Sequence, residues 1–251
     1  MQVSQAYHDA EARLDLPPAD RRGRTNRNPP GIGFWALVAE DFRTHDSNLF
    51  EQGFWAVFVH RFGNWRMDQP KIIRAPSTVL YRILFKLVEW MAGISLWYPV
   101  ELGRRVRIWH HSGIILSARF IGDDVQVRQN TTMGIRRTDR LGELPIIEAG
   151  VDIGAGAVIV GAVVVGQGAR IGANAVVTQD VPPGGSAVGN PARILPPRTP
   201  APDSMPPSAP ARTQKRGNDV ARDVACVIQR HRCGPPPQRG DEKPQGSPQQ
   251  P

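Results

Sequence analysis

The chain is 251 residues long and 40% of its residues are hydrophobic, so it could hold one or two domains. Its 31 lysine and arginine residues outnumber its 23 aspartate and glutamate residues, and most of the excess lies in the two ends. No zinc-finger or RNA-recognition spacing accompanies this charge, so we predict solvated tails and no nucleic-acid partner.

The cysteines and the start of the chain suggest a compartment. Cys226 and Cys233 both lie near the C-terminal end, so no disulfide framework is expected in the folded part. The chain opens without an apolar signal segment. We therefore predict a cytoplasmic protein.

Polar segments begin and end the chain. Residues 1–32 are polar and charged, and residues 196–251 are crowded with proline, glutamine, arginine and serine. Because neither has enough apolar residues to bury a core, we predict disordered tails over both ranges. Between them we predict an α-helical domain over 33–98 and a β-helix domain over 99–195.

Two apolar patterns predict the helical domain. Residues 33–67 have helical spacing with a break near 44–47. Apolar residues recur at intervals of three and four over 77–97, which predicts an amphipathic helix. Charged residues within that stretch make it a poor membrane span, so we predict docking on the β-helix or another subunit and no stable membrane insertion.

A six-residue repeat from residue 147 to residue 182 predicts the second domain. A period of six fits neither a helix nor a flat half-buried strand, but is typical of a solenoid whose identical positions stack from coil to coil. Three hexads would make one triangular coil. The β-branched aliphatics that would point inwards are Ile147, Ile153, Ile159, Val165, Ile171 and Val177.

The repeat continues upstream with two irregularities. One step of seven separates Ile108 from Ile115, and fourteen residues separate Met133 from Ile147. We predict that the polar segment GIRRTDRLGELPI in the longer gap forms a loop that projects from one corner of the prism. The upstream inward positions would be Leu102, Ile108, Ile115, Ile121, Val127 and Met133.

A histidine pair lies beside the first irregularity. Residues 33–195 contain four histidines, of which only His110 and His111 fall in the predicted β-helix. A bulge at this point would re-aim a side chain. Because adjacent strand residues point to opposite faces, we expect one imidazole of the pair to face an outer groove.

Several motifs together resemble a known family. The repeat and the segments HHSGIIL, IGDDVQVRQNTTMG and VPPGGSAVGNPARIL resemble the hexapeptide-repeat acyltransferases, most closely the serine O-acetyltransferases, over about residues 33–195. The resemblance implies a left-handed parallel β-helix, a homotrimer or dimer of trimers, and active sites between prisms. It also implies metal-free acetyl transfer from acetyl-CoA to the hydroxyl of L-serine, in cysteine biosynthesis.

The same resemblance assigns candidate residues. The family's catalytic histidine lies in a His-x-x-Gly pattern, which falls here on His110 with Gly113, and His111 is the alternative base. A neutral imidazole can take the proton of an attacking hydroxyl, and no covalent enzyme intermediate is required. The positions that would hold coenzyme A are Gly134, Ala155, Ala173 and Arg193.

Two positions depart from the family pattern. Serine acetyltransferases usually have aspartate before the catalytic histidine, where this chain has Trp109, and a loop histidine before a proline, where it has Leu144. The resemblance also implies an acidic residue from the helical part, for which Asp41 and Asp46 are the two candidates here. These departures keep open a saccharide hydroxyl as acceptor, as in exopolysaccharide biosynthesis, with Trp109 against the sugar.

Two other classes stay open. Some β-helix proteins are zinc carbonic anhydrases, which need three histidine ligands. Here His110 and His111 are neighbours and cannot easily reach one metal together. A non-catalytic scaffold is the other alternative, and turnover of acetyl-CoA separates it from an enzyme.

Overall fold

A computed structural model describes residues 3–18 and 23–197. Cys226, Cys233 and nearly all of the predicted C-terminal tail lie outside the described residues.

The N-terminal segment forms a helix, α1 (Gln5–Arg13), so the prediction of a disordered tail over residues 1–32 is wrong for this part. The Ser4 hydroxyl caps the helix by accepting a hydrogen bond from the Tyr7 N–H. Tyr7 and Ala10 lie one turn apart and pack on the outside of the β-helix. A nine-residue helix is marginal in water. Burial against the prism therefore stabilises it, and composition alone does not reveal that contact.

The predicted helical domain is confirmed as three α-helices: α2 (Phe34–Thr44), α3 (Gln52–Trp65) and α4 (Lys71–Ala92). A short 3-10 turn, Arg66–Asp68, lies between α3 and α4. The predicted break follows α2, where Asp46 and Ser47 adopt positive φ angles of 57° and 53°.

Helix α4 is amphipathic as predicted, but it packs through few side chains. Tyr81 and Ala92 are its buried residues. Much of its apolar side is exposed, including Ile72, Ile83 and Trp90. The predicted docking on the β-helix occurs at the C-terminal end of α4, where Ala92 and Val88 pack against the β-helix core, and much of the rest of the apolar stripe is exposed among the described residues.

Residues 94–195 form a parallel β-helix of about five turns, in which only the last strand pairs antiparallel with its neighbour. Its strands belong to three sheets that the chain visits in rotation over its first thirteen strands. The first sheet contains β1 (Ile94–Leu96), β4 (Ile114–Leu116), β7 (Thr132–Gly134), β10 (Val158–Val160) and β13 (Val176–Val177). The second contains β2 (Glu101–Leu102), β5 (Phe120–Ile121), β8 (Ile146–Ile147) and β11 (Val164–Val165). The third contains β3 (Arg107–Ile108), β6 (Gln126–Val127), β9 (Asp152–Ile153), β12 (Arg170–Ile171), β14 (Ser186–Val188) and β15 (Arg193–Leu195).

The strand register confirms the stacked interior. Met133, Ile159 and Val177 pair in successive coils of the first sheet, and all three are fully buried. The hexad positions from 147 to 177 point inwards as predicted. The β-helix begins earlier than the predicted boundary at 99, because β1 already pairs with β4.

One inward position was predicted wrongly. Ile115 is 50% exposed, whereas Leu116 is 1% exposed and pairs with Met133. The steps are therefore eight residues from Ile108 to Leu116 and then five to Ile121. Three aliphatics stand in a row at 114–116, so spacing alone could not tell which of them faces the interior.

Candidate active site

The candidate active site is a bulge at the corner between the third and first sheets, which we call the histidine corner (residues 109–113, 128–131, 154–157 and 172–175). The Trp109 N–H donates to the Val127 carbonyl at 2.8 Å, which places Trp109 level with Arg128. The Asn130 N–H donates to the Ser112 carbonyl at 3.0 Å, which places Ser112 level with Gln129.

This turn is therefore two residues longer than the corresponding turn of the next coil, and the two extra residues are His110 and His111. Both are exposed. The expected alternation of faces does not apply, because a bulge interrupts the strand. The insertion is two residues long rather than the predicted one.

The backbone of the bulge demands unusual conformations. His110 and Ser112 have positive φ angles of 61° and 84°, which are uncommon for residues with a side chain. Gly113 has φ 67°, and a Cβ there would lie 2.3 Å from the Asn130 amide oxygen. Glycine is therefore required at the fourth position of the His-x-x-Gly pattern.

The turn that follows helix α2 brings one carboxylate, that of Asp46, beside this corner. Arg107 pairs with Asp46 through two N–H groups, one of them 3.0 Å from Oδ1. Hydrogen bonding to Arg107 lowers the pKa of the Asp46 carboxyl, so it is ionised near neutral pH. The Arg107 guanidinium also lies 3.6 Å from the centroid of the Trp109 ring. The Trp109 indole N–H donates to the Gln126 side chain at 2.7 Å.

Asp41, the other acidic candidate, lies away from the bulge. It is buried and pairs with Arg61, whose Nε lies 3.0 Å from Oδ2. Burial raises the pKa of the Asp41 carboxyl and the Arg61 charge opposes that shift. Arg61 also donates to the carbonyls of Leu102 and Gly103. Asp41 therefore has a structural role in joining the helices to the first coil.

His45 is a supporting residue that the sequence analysis missed. Its Nε2 lies 3.3 Å from the Ile108 N–H, which can only donate, and its Nδ1 lies 2.8 Å from the Asp41 carbonyl. Burial lowers the pKa of His45. A neutral ring with its proton on Nδ1 satisfies both contacts and anchors β3 two residues before His110. In the sequence, the available signal was its position directly after the apolar helical stretch that forms α2.

Two of the predicted cofactor residues lie on the same corner as the bulge. The Gly156 N–H donates to the Gln129 carbonyl, and the Asn174 N–H donates to the Ala155 carbonyl. These bonds set the register of the turns, which stacks four residues in one column along the prism edge: Ser112, Gln129, Ala155 and Ala173. Gly134 lies at the far end of the first sheet, where an added Cβ would meet nothing within 4 Å. Arg193 is exposed on β15, where it pairs with Val188 of β14.

The predicted loop leaves the next corner, between the first and second sheets, which we call the loop corner (residues 135–145). The loop lines two cavities of about 210 and 330 Å³. Arg136, Arg137 and Arg140 face the smaller, and Leu141 and Leu144 face the larger. Within one chain, the loop and the histidine pair thus occupy different corners.

Among residues 3–18 and 23–197, no group of three metal-binding side chains is close enough to hold a metal ion. Within the same residues, no helix has the length and apolar character needed to cross a membrane.

The fold and the bulge define a class, the left-handed parallel β-helix proteins built from hexapeptide repeats. No family model matches the chain. The serine acetyltransferase of Salmonella typhimurium is 35% identical over 148 residues, 59% of this chain and 52% of that protein. The Helicobacter pylori serine acetyltransferase is 36% identical over 115 residues, 45% of this chain and 67% of that protein.

A solved structure of soybean serine acetyltransferase complexed with serine superposes with a TM-score of 0.54 and 29% identity, covering 64% of this chain and 69% of that one. The chain belongs to the serine acetyltransferase family. It spans about half the length of its Salmonella relative.

Proposed function

We propose that the protein transfers an acetyl group from acetyl-CoA to the hydroxyl of L-serine, with His110 as general base. The observation that carries the proposal is the two-residue bulge, which presents His110 on the same edge as Ala155 and Ala173. Membership of the serine acetyltransferase family supports the reaction type and the acceptor.

His110 acts on the acceptor hydroxyl. Its neutral imidazole takes the proton as the hydroxyl oxygen attacks the thioester carbonyl, because an alcohol is a weak nucleophile near neutral pH. Backbone N–H groups of the turns would stabilise the tetrahedral oxyanion. The intermediate then collapses to the ester, and the imidazolium returns its proton to the departing coenzyme A sulfur.

The co-substrate would lie along the histidine corner. The small side chains of Ala155 and Ala173 leave the backbone accessible to the pantetheine arm, and Arg193 could pair with the phosphate groups at the nucleotide end. Gly134 and the loop would join the site from a neighbouring protomer. We propose a homotrimer, or a dimer of trimers, because it would bring a loop corner beside a histidine corner.

A coenzyme A release assay tests the function. With L-serine as acceptor, His110→Ala should lower kcat by roughly 100-fold or more, the usual range for loss of a general base. The matched variant His111→Ala should keep most of the activity. The reverse pattern would make His111 the base, and the absence of wild-type turnover with any hydroxyl acceptor would contradict the proposed function.

A saccharide hydroxyl is the second candidate acceptor, favoured by one observation. The charge of Asp46 is already engaged by Arg107, and Trp109 stands where the family usually has aspartate. A free carboxylate for an amino acid's ammonium group is therefore missing at these two positions. The same assay with hexoses and pentoses decides between the acceptors by comparing kcat/KM with that for L-serine.

A further inference from the structure

We propose that Tyr7 of helix α1 is a positioning residue that holds the loop at the loop corner in its working conformation. The part of this proposal that concerns acceptor binding rests on the proposed function, because it assigns the acceptor to this loop. The residue before Pro145 is central to it, because the resemblance places a family histidine at that position, which is Leu144 here.

The contact between Tyr7 and the loop is direct and buried. The Tyr7 hydroxyl donates to the Leu144 carbonyl at 2.7 Å. The Tyr7 side chain belongs to the same apolar cluster as Ile146, and the residue is 5% exposed. Burial raises the pKa of the phenol, which therefore stays protonated and able to donate. Tyr7 thus holds both the carbonyl before Pro145 and the first residue of β8.

Both ends of α1 are anchored to the prism, so Tyr7 is held in place. At the start of the helix, the Ser4 hydroxyl donates to Asp180 Oδ2 at 2.9 Å, and Asp180 Oδ1 accepts the Val164 N–H at 2.8 Å. At its end, Arg13 pairs with Glu148, which is itself buried.

A third anchor follows along the same segment. Arg119, which is buried in the second-sheet region, lies 3.2 Å from Glu11 and also donates to the Pro17 carbonyl. These contacts attach α1 and the residues after it to parts of the prism outside the loop corner.

The backbone hydrogen bonds within residues 137–144 are local, and the Arg119 N–H ties the end of the loop to the prism by donating to the Pro145 carbonyl at 2.8 Å. The N–H of Arg140 donates to the carbonyl of Arg137, that of Glu143 to Arg140, and that of Leu144 to Gly142. Loss of the Tyr7 hydroxyl should therefore let the segment before Pro145 move.

The test combines proteolysis with kinetics on the full chain. Trypsin can cut the loop after Arg136, Arg137 and Arg140. Tyr7→Phe keeps the ring and removes one hydrogen bond, so we expect loop cleavage to be roughly fivefold faster. The KM for the acceptor should rise by a similar factor, while kcat and the KM for acetyl-CoA stay near wild type.

Tyr81→Phe is the matched control, since Tyr81 is a buried tyrosine of α4 and not part of the loop. It should leave loop cleavage and the acceptor KM unchanged. Unchanged cleavage in Tyr7→Phe would overturn the proposal. Because cleavage does not require turnover, faster cleavage in a protein inactive on every acceptor would contradict the proposed function and leave the positioning role supported.

Discussion

At the residue scale, burial decides which histidines can be bases. His110 and His111 are exposed in the bulge. His45 and His60 are buried and belong to the framework that supports the first coil. All four residues are histidines, so only their surroundings separate a candidate base from a structural imidazole.

His60 should make stability depend on pH. Burial, with a smaller contribution from Arg61, lowers its pKa to about 3, and its Nε2 lies 3.0 Å from the Val100 carbonyl. The unfolded chain binds this proton below pH ~6.5, whereas the folded chain does so only near pH 3. The stabilising effect is therefore full above pH ~6.5 and is lost as the pH falls towards 3.

Urea unfolding at a series of pH values measures this effect. Between pH 6 and 4, His60→Gln should reduce the slope of the unfolding free energy by up to about 1.4 kcal/mol per pH unit, the value for one proton. A variant with the wild-type slope would show that His60 does not titrate in this way.

At the scale of elements, one buried ion pair joins the helices to the β-helix. Asp41 of α2 pairs with Arg61 of α3, and Arg61 donates to the carbonyls of Leu102, the last residue of β2, and Gly103. The same helices place Asp46 beside Arg107 and His45 against Ile108. The geometry of the bulge thus depends on how α2 and α3 are held.

Breaking that pair should be costly. Arg61→Met leaves a buried carboxylate without its cation, and we expect a loss of about 3–5 kcal/mol in the free energy of unfolding. Replacing both partners, as in Asp41→Leu with Arg61→Met, should cost less than the single change. Asp46→Asn, at an exposed ion pair, is the control and should leave the urea midpoint near wild type. Equal midpoints for Arg61→Met and wild type would contradict this account.

At the scale of the whole molecule, the two parts of the candidate site lie on different corners of one prism. The histidine pair lies between the third and first sheets, and the loop leaves between the first and second. A site made from both requires a second protomer under the proposed trimeric assembly. The exposed apolar side of α4 adds surface that such an assembly could cover.

Mixed oligomers test this arrangement. We expect a mass of three or six times 27.6 kDa by sedimentation equilibrium. A His110→Ala protein and a protein with residues 136–143 replaced by a glycine–serine linker should each be inactive. Co-expression should restore activity, because some sites combine an intact histidine with an intact loop from the partner. A mixture no more active than the sum of its parts would place both elements of a site in one chain.

Local chemistry was enough to predict the coils from the sequence. The hexad aliphatics from Ile147 to Val177 recur at the period of the structure, and glycine at 113 occupies a positive φ angle that is uncommon for residues with a side chain. The position of His110 beside an irregularity of the repeat could also be predicted from the sequence, because the repeat has a regular period. Such features depend on neighbours in sequence and on a repeating register.

Contacts between distant segments were decided only by the tertiary structure. Spacing could not choose between Ile115 and Leu116, because the pairing with Met133 selects the inward residue. Composition predicted a disordered N-terminus, but burial of Tyr7 against the prism stabilises α1. Which of Asp41 and Asp46 lies beside the bulge depended on which one Arg107 meets. Each outcome is set by a contact across many residues of sequence, and neither propensity nor periodicity contains that information.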